Sequence, residues 1–140
     1  MDPQTIDEWC ALARQKQKAA ELLLSNGHLE EAWGNAGFSV ECGLKAAIFA
    51  RERFNSWPSR AARPDLYTHD ITRLMTIASI DLDALVSDPI APKFMTVRLW
   101  QRSDGYRTHM PSRVARDICE AAFSQDGVLK WIGSRFQIPL

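Results

Sequence analysis

No stretch of four to eight residues in this 140-residue sequence alternates apolar and polar side chains in period two, whereas apolar residues recur at three- and four-residue steps along most of it. A half-buried strand needs the first pattern and an amphipathic helix the second, so the chain predicts an all-α protein. The first helix reads from Pro3 to Ser25, where Ile6, Trp9, Cys10, Ala13, Ala20, Leu23 and Leu24 form a stripe among charged neighbours. Asn26-Gly27 supplies the left-handed stop that helix C-termini favour. A second helix runs from about His28 to Phe54 on a stripe of Leu29, Ala32, Trp33, Ala36, Val40, Leu44, Ala47 and Ile48. Gly34, Gly37 and Gly43 interrupt its propensity at about 1 kcal/mol each. The compensating gain is close approach of another helix.

Asn55 to Asp65 holds two prolines and no period, and reads as a loop. A shorter helix spans about Asp70 to Ala78. A stretch rich in Asp, Ser and Pro follows, with room for one turn around Leu82 to Val86. Pro92 can occupy the first turn of a fourth helix, running through Phe94, Val97, Leu99 and Trp100 to about Arg102, where Ser103-Asp104-Gly105 ends it. Ser112 caps a long last helix whose stripe is Val114, Ala115, Ile118, Cys119, Ala122, Leu129, Ile132 and Phe136, with Gly127 loosening it midway. Long helices, short connections and one core's worth of chain give an up-and-down antiparallel helical bundle of four to five helices, a single domain over residues 1–140.

Seventeen basic residues balance seventeen acidic ones, and a neutral total gives no reason to expect a polyanionic partner. The total hides a separation. Residues 89–116 hold six basic residues against one acidic, and residues 65–88 hold five acidic against one basic. The N-terminus, Met1-Asp2-Pro3-Gln4-Thr5, lacks the basic-then-apolar order of a signal peptide, and no apolar run approaches the ~20 residues of a membrane helix. A cytoplasmic protein without membrane contact is expected. Cys10, Cys42 and Cys119 are odd in number and lie among apolar neighbours, as buried reduced thiols do. His28, His69 and His109 stand apart with no HExxH or CxxC pattern, and no glycine-rich phosphate loop occurs, so neither a metal nor another cofactor is expected.

An ordered series of short pieces resembles the HEPN family, the higher-eukaryote and prokaryote nucleotide-binding helical domains. It runs through Trp9, Ala19-Ala20-Glu21-Leu22-Leu23, Asn26-Gly27, Glu30-Glu31-Ala32, Glu41 with Leu44-Lys45-Ala46, and His69 with Leu74. Trp100, Arg102 and Tyr106 follow, and then Ala115, Ile118, Ala122 and Val128-Leu129-Lys130-Trp131-Ile132. The resemblance covers roughly residues 9–132. It implies a helical bundle, commonly a homodimer, that binds RNA or a nucleotide and can pair with a separately encoded nucleotidyltransferase-like protein.

Several members of that family are metal-independent endoribonucleases with an Arg, four to six residues, His signature. Arg102 and His109, six residues between them, satisfy the spacing. In that chemistry His109 would exchange protons with the 2′-hydroxyl or the leaving oxygen, and Arg102 would hold the phosphate. Arg98, Arg107, Arg113 and Arg116 would contact flanking phosphates, and Tyr106 would stack on a base. Against catalysis, Ser103-Asp104-Gly105 places a turn between the pair, and His109-Met110-Pro111 lacks the tyrosine carried by toxin-type members of toxin–antitoxin systems. The pattern Trp100, Arg102, Tyr106 resembles the branch whose signature has decayed, which favours binding. A ribonuclease and a purely protein-interacting helical dimer stay open as alternatives. Glu41 and Lys45 read as a structural i, i+4 pair, His69-Asp70 as a helix start, and Trp57 as the cover of one bundle end.

Overall fold

The helical period is realised throughout the computed structural model, which describes residues 2–101 and 108–140. Among these, α1 (Ile6–Ser25), α2 (Leu29–Glu52), α3 (Ile71–Ile77), α4 (Ala91–Arg98), α5 (Ser112–Phe123) and α6 (Val128–Phe136) follow in order, with a single 3-10 turn at Pro64–Leu66 and no strand. Thr5 rather than Pro3 starts α1, because its hydroxyl accepts from the Glu8 amide at 3.1 Å while Glu8 reaches back to the Gln4 amide at 2.7 Å. Asn26 and Gly27, the latter at φ 79°, reverse the chain within three residues and lay α2 antiparallel on α1.

From Ser39 to Phe49 every residue of α2 is buried, although the sequence reads as a one-sided stripe. The reason is that α1, α3, α5 and α6 all pack on this one helix. A helix enclosed on all sides must satisfy each polar group locally. Ser39 does so by donating to the Ala13 carbonyl of α1 at 2.6 Å.

Two boundaries differ from the sequence reading. The fourth helix stops at Arg98, short of Arg102, because the last turn tightens through Leu99 N–H to Thr96 O and Trp100 N–H to Val97 O and swings the Trp100 indole onto α2. That indole donates from Nε1 to the Trp33 carbonyl at 3.1 Å and covers Gly37, where a Cβ would fall 2.0 Å from the ring. Gly37 thus supplies the close approach expected of the α2 glycines, while Gly34 faces open space. The long last helix is two helices. Ser124 turns extended, Gly127 donates back to its carbonyl at 2.8 Å, and a Cβ on Gly127 would meet the Ala122 carbonyl oxygen at 2.9 Å. Ser112 is the first residue of α5, Pro111 standing at the cap.

The loop after α2 closes one end of the bundle. Trp57 is 5% exposed, stacks on Phe49 at 6.2 Å and meets Trp9 edge-on at 5.0 Å. Arg63 clamps the loop by binding both Glu52 and Asp65, and this guanidinium holds the Asp65 carboxyl below its ordinary range. Trp57 is a cover. Among the described residues no helix is long and apolar enough to cross a membrane.

Candidate functional site

Enclosure of α2 puts a carboxylate and an ammonium inside the protein. Glu41 and Lys45, one turn apart, have side chains 3% and 8% exposed, and Glu41 Oε2 accepts from Lys45 Nζ at 3.1 Å. The ammonium also stands 5.3 Å from the Trp9 ring centre, a cation–π contact. Removing two charges from water is expensive, and a buried pair holds only if its remaining hydrogen-bonding capacity is met. The second carboxylate oxygen, Oε1, meets it with His69 Nδ1 at 2.9 Å. His69 is brought there by the start of α3, where Asp70 caps the helix by accepting from the Arg73 amide at 3.2 Å. The helix-start reading of His69-Asp70 is right for Asp70; His69 turns instead to the buried carboxylate. Lys45, Glu41 and His69 form one chain from the core to the surface, where the imidazole is half-exposed.

The surface end opens on a cavity of about 400 Å³ lined by His69, Asp70, Thr72, Arg98, Trp100 and Gln101. Trp100, seated on Gly37, forms part of its wall and also lines a neighbouring cavity of about 210 Å³ that includes Leu99, Met110, Arg113 and Asp117. The same short stretch, Arg98 to Gln101, therefore supplies a guanidinium, an aromatic wall and an amide beside an oriented imidazole.

No family model, curated protein or solved structure matches the chain. Of the residues singled out in the sequence, Arg98 lines the larger cavity, Arg113 the neighbouring one, and Arg116 lies exposed on α5. His109 is exposed beside the buried Met110 and is not among the residues lining either cavity. Arg102, Tyr106 and Arg107 lie outside the described residues. The structure sets Arg98 beside His69, a residue the sequence reading left as a helix start. The signal for this was the Glu41–Lys45 pair itself, since both residues interrupt a stretch whose neighbours Val40, Cys42, Leu44 and Ala46 are all core.

The three thiols are packed into the bundle. Burial pushes Cys10 and Cys119 up to about 11, and pushes Cys42 higher still, with the adjacent Glu41 carboxylate adding to the effect. Thiolate is the reactive form. Native protein at pH 8 is expected to leave all three unmodified by a disulfide-exchange reagent over a time in which denatured protein releases three equivalents; rapid labelling of one native thiol would contradict the packing.

Proposed function

We propose that this chain is a HEPN-like helical module, homodimeric, that binds RNA or a nucleotide. The observation that carries the reading is the cavity in which the Arg98 guanidinium, the Trp100 wall and an imidazole held by a buried carboxylate come together. A guanidinium matches phosphate oxygens, and an imidazole and an amide match the polar groups of a sugar or base. Arg98 begins the stretch through Arg116 that holds five of the six basic residues of the cationic segment, and Arg113 and Arg116 extend the positive surface along α5. Leu99, 74% exposed where it lines the smaller cavity, and Met95, 49% exposed, give the C-terminal end of α4 an apolar surface for a second copy.

The test is anisotropy of a labelled single-stranded RNA oligonucleotide against salt. Three arginine–phosphate contacts predict a log–log slope near −2, or about fifteenfold weaker binding between 50 and 200 mM salt. Arg98→Ala should weaken binding and lower the slope by about 0.7. No binding at the lowest salt overturns the proposal.

A further inference from the structure

Trp131 is a large aromatic side chain that the core does not fully absorb. It meets Phe94 of α4 with ring centres 5.2 Å apart and planes at 89°, and it stays partly exposed on α6. Two cavities share it as a lining residue. One, of about 300 Å³, is also lined by Arg51 from the last turn of α2 and by Arg135, one turn beyond Trp131. The other, of about 480 Å³, is also lined by Lys93 of α4 and by Lys130, the neighbour of Trp131 in the chain. One aromatic ring is thus common to a pair of guanidinium groups and a pair of ammonium groups.

These charges are not spent inside the protein. Arg51, Arg135 and Lys130 are exposed and have no ion-pair partner among the described residues. Lys93 donates to Ser124 Oγ at 3.3 Å and to the Asp126 carbonyl at 3.0 Å, two neutral acceptors that leave its charge unbalanced. Cations in a last helical turn commonly serve the helix end. Here the backbone does that work: Arg53 and Gln137 both turn left-handed at φ 56°, Phe54 N–H donates to Phe49 O at 3.3 Å, and Ile138 N–H donates to Gly133 O at 3.0 Å. Three carboxylates line the same two cavities. Asp81 and Asp88 already accept from the Asp83 and Ile90 amides, at 3.0 and 2.9 Å, and Asp126 is the third. The four cations outnumber them, and a carboxylate beside a phosphate site can accept from a ribose hydroxyl or a base amine.

We propose that Trp131 is the stacking platform for one nucleotide unit, a base with a phosphate on each side, whose phosphates fall to Arg51 with Arg135 and to Lys93 with Lys130. A flat ring flanked by cations suits any base, because every base has a π-face and stacking asks for no hydrogen-bond pattern. This rests on the RNA-or-nucleotide reading above and adds a second site to it. Arg98 also lines a cavity with Ile80 and Asp81, and both of these line the Arg51–Arg135 cavity. The two sites adjoin along the surface, so one strand can reach both.

Adenosine 3′,5′-bisphosphate, read by calorimetry, tests the new site alone. An RNA of about 20 nucleotides, read by anisotropy against salt, tests it on a strand; the native protein should give a log–log slope near −5, because four cations add to the three arginines above. Trp131→Leu should weaken both ligands about tenfold, the contribution of one stacked base, with the slope unchanged. Arg51→Gln/Arg135→Gln should lower the slope by about 1.4. Trp131-dependent binding of the bisphosphate without the strand supports the site, assigns it to free nucleotides and removes the RNA reading at Arg98; Trp131-dependent binding of the strand alone assigns it to RNA. A slope near −2, with the strand bound equally by the native protein and both variants, overturns the inference and leaves the Arg98 site standing. No binding of either ligand removes both. Arg51 and Arg135 are exposed, so their double variant decides the question should Trp131→Leu fail to fold.

Discussion

Gly37→Ala is expected to lower the unfolding free energy by about 3 kcal/mol, and the same substitution in a Trp100→Ala background to cost nothing or to gain close to 1 kcal/mol. Alanine is the better helix former, so on propensity alone the change would stabilise α2. Space decides the sign. A Cβ at position 37 would fall 2.0 to 2.2 Å from three atoms of the Trp100 indole, well inside contact distance and in the middle of the ring rather than at a flexible tip. The indole must move, and with it go the bond from Nε1 to the Trp33 carbonyl and the contact between the Trp33 and Trp100 rings, whose centres are 5.5 Å apart. Trp100→Ala alone should cost about 3 to 5 kcal/mol, because the side chain is 5% exposed and packs on Trp33 and Gly37 of α2. Once the ring is gone the Gly37 penalty has no source. A double-mutant cycle by chemical denaturation therefore gives a coupling of about 3 to 4 kcal/mol, and additivity within about 0.5 kcal/mol would show that the ring does not rest on Gly37. The cycle also reaches the candidate site, since Trp100 lines the cavity that Arg98 and His69 line; on the proposed RNA-binding function, Gly37→Ala should weaken that binding although it is buried.

These residues also show where sequence reading reaches and where it stops. The helices were legible because burying one face of a helix leaves a three-to-four residue trace, and α1 and α2 carry that trace over twenty or more residues. The glycines of α2 marked close approach, but nothing local distinguishes Gly37, which needs to be glycine, from Gly34, which does not; the difference is the ring of a residue 63 positions away. The break between α5 and α6 was visible only as Gly127, because the apolar period continues in phase across it. The site was legible in part. Arg98 follows from the cationic segment, and Glu41 with Lys45 from their spacing. The joining of Glu41 to His69, 28 residues later and on another element, is tertiary and leaves no mark in a spacing. Spacing drew attention to His109; enclosure of α2 brings His69 to Glu41.

Lys45→Met is expected to destabilise the protein by about 3 kcal/mol, whereas Glu41→Leu/Lys45→Met together should come within about 1 kcal/mol of the native stability. The single change leaves the Glu41 carboxylate in the core with its interior cation removed and only the imidazole at its other oxygen. An uncompensated buried charge accounts for most of that cost. Removing both charges and filling the same volume with Leu and Met removes the desolvation cost as well, so the bundle has no need of the pair to stand. What the double variant should lose is the fixed ring of His69. If the buried pair served packing alone, restoring stability would restore every property of the protein. If it holds the imidazole, thermal stability returns while the His69 ring loses its single orientation. Melting temperature and the order of the His69 ring by NMR, measured on one preparation of the double variant, separate the two roles. A ring as ordered as in the native protein would make Glu41 and Lys45 packing residues, and a disordered ring in a stably folded double variant assigns them to the orientation of His69.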